Sequence, residues 1–196
     1  MSKVYWKGSA LLGPLPPALI SVGDAEKSNL LTVAWCGVIN THPPKTYISV
    51  RPTRYSYPIL KQRREFVLHL PSEALARAVD FCGMYTGAKL DKWEKCGLTA
   101  IESREVAAPT VAECPVALEC RVTDILPMGT HDLFLADILS VTVEESLLDE
   151  AGKLHMERAG LLAYLHGDYY TLGRRVGKFG FSAVKKKKHK ESGKKK

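Results

Sequence analysis

The chain has 196 residues, 45% of them hydrophobic and 25% charged. That is enough for one domain with a sizeable core, and too ordinary for wholesale disorder, a collagen or a coiled coil. The formal charge of +7 is concentrated: residues 185–196 (KKKKHKESGKKK) hold eight Lys and one Glu, leaving 20 basic and 20 acidic side chains over residues 1–184. A neutral body removes the usual electrostatic argument for a nucleic-acid-binding domain.

The expected organisation is one domain over residues 1–184 and a disordered tail over 185–196, whose ammonium groups repel one another and cannot pack. Weak, salt-sensitive adhesion to polyanions is the tail's alternative role. The five cysteines, Cys36, Cys82, Cys96, Cys114 and Cys120, form no CxxC pair and have no histidines at zinc spacing. They read as free thiols, most of them small buried apolar residues, in a reducing cytoplasm, with no metal site expected. The apolar run Ser9–Ile20 is broken by Pro14, Pro16 and Pro17, so it is neither a membrane span nor a good secretion signal.

In chain order, Ala18–Val22 predicts a strand ended by Gly23–Asp24, and the low charge of Leu30–Ile39 predicts one strand buried on both faces. Thr41–Pro44 is a turn or extended corner, because consecutive prolines exclude helix. Thr46–Val50 and Glu65–Leu70 read as strands, and Tyr57–Arg64 as a helix with Ser56 as N-cap and Pro58 in the first turn. Ser72 is positioned to cap a second helix carrying Leu75, Val79 and Cys82 on one face, with Gly83 as its stop. Asp91 and Glu94 form a D-x-x-E start for a short helix ending near Gly97. Alternation over Val116–Thr123 predicts a half-buried strand, Pro127–Gly129 a turn, and Leu133–Val143 the hairpin partner. Asp149–Gly152 reads as a turn and Gly160–Leu165 as another short strand. Seven or so strands with short helices and no βαβ alternation predict a mainly β fold, a closed barrel with helices at its rim.

Three segments carry chemistry. Arg51-Pro52-Thr53-Arg54-Tyr55-Ser56-Tyr57 gathers two guanidiniums and hydroxyls where a strand ends and a helix begins, a donor set suited to phosphate oxygens. Alternatively, the arginines pair with surface carboxylates and Ser56 merely caps; the segment alone leaves both open. Thr86-Gly87-Ala88-Lys89-Leu90-Asp91-Lys92-Trp93 brings a glycine loop, two lysines and a helix start together without Walker spacing, so a phosphate site and a solvated loop both remain open. Asn29–Trp35 is a strand of small residues along which a flat ligand could approach the backbone, with Trp35 flanking it; taken by itself, the segment reads first as an ordinary core strand with a core Trp.

Taken together, LTVAW, the following PP, S-x-RPTRYS, an EF-strand ending in Pro, DFCGxxTGxxxDKW and the later G-x-H-D-x-F hairpin resemble the flavin reductase-like, FMN-binding split-barrel proteins, in the manner of the flavoredoxin group. The likeness spans residues 10 to 180. It implies a closed split barrel, a homodimer and non-covalently held FMN. Thr32, Val33, Ala34 and Trp35 would line the isoalloxazine. Thr53, Arg54, Ser56 and Lys92 would grip the phosphate beside the Thr86–Gly87 loop, and Cys82 would pack near the site. His131 and Tyr164 would lie close to the flavin; His166, which adjoins Tyr164, is left open between a position away from the site and one at its rim.

The protein itself needs no catalytic nucleophile in such a site. NAD(P)H or a small redox protein is the implied electron donor, and free flavin, ferric complexes or a protein partner the acceptor. Two departures concern substrate preference: Ala88-Lys89 stands where the family commonly has Arg-Asp, and Ala136-Asp137 where it tends to have Gly-Glu.

Overall fold

The computed structural model describes residues 1–183; the lysine tail lies outside the described residues. In chain order the elements are β1 (Ala18–Gly23), β2 (Ser28–Val33), β3 (Cys36–Thr41), β4 (Pro44–Val50), α1 (Ser56–Arg63), β5 (Glu65–Leu70), α2 (Ala76–Met84) and α3 (Lys92–Cys96). They continue with β6 (Ala100–Ile101), β7 (Thr110–Val111), β8 (Val116–Pro127), β9 (Asp132–Val143), β10 (Leu162–Leu165) and β11 (Asp168–Thr171). Seven strands form one sheet in the order β2-β1-β5-β8-β9-β4-β3, every neighbouring pair antiparallel.

The two end strands, β2 and β3, are consecutive in the chain. Ala34 and Trp35 pass between them, and among the described residues no ladder joins the two. The expected mainly β fold with short helices is therefore present, while a continuous ladder closing the barrel is not. The strand expected over Leu30–Ile39 is two strands, because its halves meet different surroundings: Leu30 and Leu31 are buried, whereas Val38 and Ile39 are exposed. Trp35 still engages the sheet, its carbonyl accepting from Ser49 N–H at 2.9 Å.

Side chains alternate across each strand, so the sheet supplies two packing faces. Ile20 and Val22 of β1 join Leu31 and Val33 of β2, Ile48 and Val50 of β4, Phe66 of β5, Cys120 of β8 and Phe134 of β9 in one core. Burying each large apolar side chain here contributes about 1.5–3 kcal/mol. Leu19 and Leu30 point to the other face and meet Ala78, Val79 and Cys82 of α2. On β8 the alternation fails locally: Ala117 and Glu119 are buried as well, the Glu119 carboxylate accepting from Glu105 N–H at 2.5 Å.

The helix boundaries correct three expectations. Ser56 is the first residue inside α1 rather than its cap, and its hydroxyl accepts from the Asn29 amide instead. Ser72 makes no capping bond and precedes a single 3-10 turn before α2. Gly83 lies within α2, where a Cβ would sit 3.4 Å from that of Thr32; it allows the helix to lie close on β2 rather than stopping it. Asp91 does cap α3, accepting from Trp93 and Glu94 N–H at 2.8 and 3.3 Å, and Gly97 ends it with φ +62°. No described helix is long and apolar enough to cross a membrane.

Candidate functional site

The end of β2, the start of α1 and the loop between α2 and α3 enclose a polar cavity of about 300 Å³. Asn29 organises it. The Asn29 amide donates to Ser56 Oγ at 2.6 Å and to Leu30 O at 3.1 Å, leaving the Ser56 hydroxyl proton free to donate. Gly87 approaches Asn29 so closely that a Cβ would lie 2.1 Å from its Oδ1. Arg54 Nη1 donates to Gly83 O at 3.0 Å and keeps its other N–H groups. Thr53 and Thr86 add further hydroxyls.

Lys92 is 3% exposed and donates to Leu30 O and Cys82 O, both at 2.8 Å. A solvated loop lysine is thereby ruled out. Burial pulls its pKa down from the usual lysine range, and the nearby Arg54 charge adds to the effect. Among the described residues no carboxylate forms an ion pair with Lys92, Arg54 or Arg51. A buried ammonium costs several kcal/mol, which two carbonyls offset only in part. The donor set suits an anion with several acceptor oxygens, such as a phosphate monoester.

A second cavity of about 440 Å³ opens beside the first and shares Leu31, Thr32, Arg51, Arg54 and Met84 with it. Its walls are Thr32 and Val33 at the end of β2, Ala34 and Trp35 just after it, Gly83 of α2, His131 after the β8–β9 turn, and Tyr164 and Tyr169 of the β10–β11 hairpin. The Thr32 hydroxyl donates to Val79 O, fixing the strand against α2. The Trp35 and His131 rings lie 4.5 Å apart at 59°. Burial lowers the His131 pKa, with the Arg51 and Arg54 charges acting in the same direction, which favours the neutral ring. Arg51 Nε donates to its Nε2 at 3.3 Å, which leaves the ring proton on Nδ1 for Thr130 Oγ1 at 2.9 Å. A cationic cavity thus runs into a larger one with aromatic walls, the shape of a phosphorylated side chain leading to a planar head.

The flavin reductase like domain matches residues 13–173 as a family profile. The chain belongs to the flavin reductase-like family. Over 138 residues it is 36% identical to an uncharacterized protein of Archaeoglobus fulgidus, covering 70% of this chain and 77% of that protein. An NADPH-flavin oxidoreductase of Streptomyces viridifaciens is 26% identical over 146 residues, 72% of this chain and 74% of that protein. The solved structure of flavoredoxin from Desulfovibrio vulgaris (Miyazaki F) superposes with a TM-score of 0.85 at 29% identity, covering 93% of this chain and 99% of that one.

As a flavin reductase-like protein, the chain brings every residue expected at the site to one of the two cavities. Thr53, Ser56, Cys82, Thr86, Gly87 and Lys92 line the polar one, Val33, Ala34, Trp35, His131 and Tyr164 the larger one, and Thr32 and Arg54 both. His166 does not line either cavity but borders, with Ala10–Leu12, a neighbouring hollow that shares Trp35, Tyr164 and Gly167 with the larger one. Lys89 borders an outer hollow beyond Gly87 and does not reach the polar cavity. Of the second departure, Ala136 is fully buried in the core and Asp137 pairs with Lys45, so neither lines the two cavities. Sequence reasoning missed Asn29 and Tyr169 and gave Arg51 no separate role. Asn29 carries no signal in sequence because its partners, Ser56 and Gly87, come from elements distant in the chain. Arg51 was legible as half of the RPTR pair.

Proposed function

We propose that this protein is an FMN-binding oxidoreductase that passes electrons from NAD(P)H or a reduced carrier to free flavin, ferric complexes or a protein partner. One observation carries the reading: a buried, carboxylate-free Lys92 and an exposed Arg54 converge on a cavity that opens into a second one walled by Trp35, His131 and Tyr164. Arg54, Lys92, Ser56, Thr53 and the Thr86–Gly87 loop bind the phosphate. The segment from Thr32 to Trp35, running off the end of β2, supports the ring. FMN, when bound, supplies the redox chemistry that protein side chains lack.

The protein's own groups orient and exclude. Trp35 and Tyr164 flank the ring position, and His131, whose lowered pKa favours the uncharged imidazole, borders it beside Trp35. The NADPH-flavin oxidoreductase among the relatives supports turnover with a nicotinamide donor. No glycine-rich dinucleotide fingerprint exists in the sequence, so NAD(P)H docks on the open side of the larger cavity. Homodimerisation is part of the same reading and draws support from the exposed apolar side chains Val38 and Ile39 on β3, an end strand, and Leu139 and Val141 on β9.

The first test is colour: the purified protein is yellow and heat releases a flavin that migrates as FMN rather than FAD. Anaerobic mixing with NADH or NADPH then bleaches the FMN-loaded protein. A colourless protein that takes up no added FMN would falsify the reading. The likeness to flavoredoxin favours a second reading, an electron carrier without nicotinamide turnover. It predicts slow bleaching by both nicotinamides and fast reduction by a small iron–sulfur or flavin protein.

A further inference from the structure

We propose that Cys82 and Cys96 form a thiol–disulfide site whose oxidation staples the phosphate-side loop and slows release of the flavin; the second half of this statement rests on the FMN reading above. Cys82 is in the last turn of α2 and lines the polar cavity, and Cys96 is the last residue of α3. Fourteen positions apart in sequence, their sulfurs touch at 3.9 Å. Cys82 is buried, but Cys96 is partly exposed and open to a small reagent, whereas Cys36, Cys114 and Cys120 are all buried. Burial raises both thiols, Cys82 to about 12, and the Lys92 ammonium, within electrostatic reach of both sulfurs, works against that rise.

The chemistry balances with a low-molecular-weight disulfide as oxidant. The Cys96 thiolate attacks one sulfur of that disulfide, expelling one thiol and forming a mixed disulfide. The Cys82 thiolate then attacks Cys96 Sγ, expelling the second thiol. Two protein thiols are oxidised, one disulfide is reduced to two thiols, and the protons released on forming the thiolates end on the leaving groups. The sulfurs must close from 3.9 Å to about 2.05 Å on forming the bond.

The consequence follows from what the new ring encloses. Thr86, Gly87 and Lys92 all lie between Cys82 and Cys96. Tying both ends of that loop reduces its freedom in the ligand-free protein, so less ordering is lost on binding the phosphate. The Lys92 bond to the Cys82 carbonyl is held within the same ring.

The test uses the full chain, wild type and Cys96→Ser, incubated with glutathione disulfide as the probe. Intact mass, thiol counting and peptide mapping read the cross-link; the recovery of FMN fluorescence on dilution reads release. Expected in the wild type are the loss of two thiols, a peptide joining Cys82 to Cys96, and FMN release slowed about tenfold, equivalent to roughly 1.4 kcal/mol. Cys96→Ser gives neither change. A glutathione adduct that never resolves, or no thiol loss, would overturn the pairing. A cross-link that leaves FMN release unchanged or faster would overturn the staple while leaving the flavin reading intact. Failure of both redox forms to bind FMN would instead overturn the flavin reading and, with it, the retention effect, and the mapped cross-link would still report on the pairing by itself.

Discussion

Replacing Arg54 by Met separates phosphate recognition from ring recognition. The Arg54 side chain is exposed, and its hydrogen bond within the described residues runs to Gly83 O, so its removal orphans no buried donor or acceptor pair. Folding stability is expected to change by no more than about 0.5 kcal/mol. What the substitution takes away from the bound state is a charge-assisted hydrogen bond to phosphate, worth about 1.5–3 kcal/mol, which corresponds to roughly 10- to 150-fold in Kd. Part of that deficit is returned through Lys92, whose pKa the Arg54 charge helps to depress.

The assay is a pair of fluorescence titrations at one ionic strength, with FMN and with riboflavin, which has the same ring and no phosphate. FMN binding is expected to weaken by about tenfold or more, while riboflavin binding shifts less than about twofold. The salt dependence of FMN binding should also become shallower, because one fewer cation takes part. Equal weakening for both ligands would refute the reasoning, since it would place Arg54 at the ring. An unchanged FMN affinity would refute it as well.

Three further outcomes are expected. Gly87→Ala drives a Cβ to within 2.1 Å of Asn29 Oδ1, so the Asn29–Ser56 bond shifts and FMN binding weakens about tenfold with little change in riboflavin binding; titration of both ligands checks this. In the wild type, FMN affinity falls as pH rises through the lowered pKa of Lys92, because only the ammonium form binds the phosphate; Lys92→Gln binds more weakly and loses that alkaline limb, and an identical limb in both proteins would count against the assignment. His69 is fully buried, its Nδ1–H donating to Leu19 O and its Nε2 accepting from Val111 N–H, and burial lowers its pKa to about 4. An unfolded histidine takes up its proton near 6.5, so this group stabilises the fold above that pH. Its contribution, about 3 kcal/mol, is lost as pH falls toward 4. Urea midpoints between pH 7 and 4 measure this; the His69→Gln protein should show the shallower decline.

What the sequence determined by itself is local. The Asp91 cap, the Gly97 stop, the Pro43–Pro44 corner and the β8–β9 hairpin follow from short-range chemistry, and the combination of LTVAW, RPTRYS and TGxxxDKW pointed to the family and to its site. The tertiary structure alone decided the break at Ala34–Trp35, since the burial of β2 and the exposure of β3 depend on what each strand packs against. It also decided that Ser56 serves Asn29 rather than a helix end, and that Lys92 is enclosed rather than solvated. The meeting of Cys82 with Cys96 belongs to the same class. In each case the residue type and its chain neighbours are compatible with two environments, and only the partners delivered by distant elements select between them.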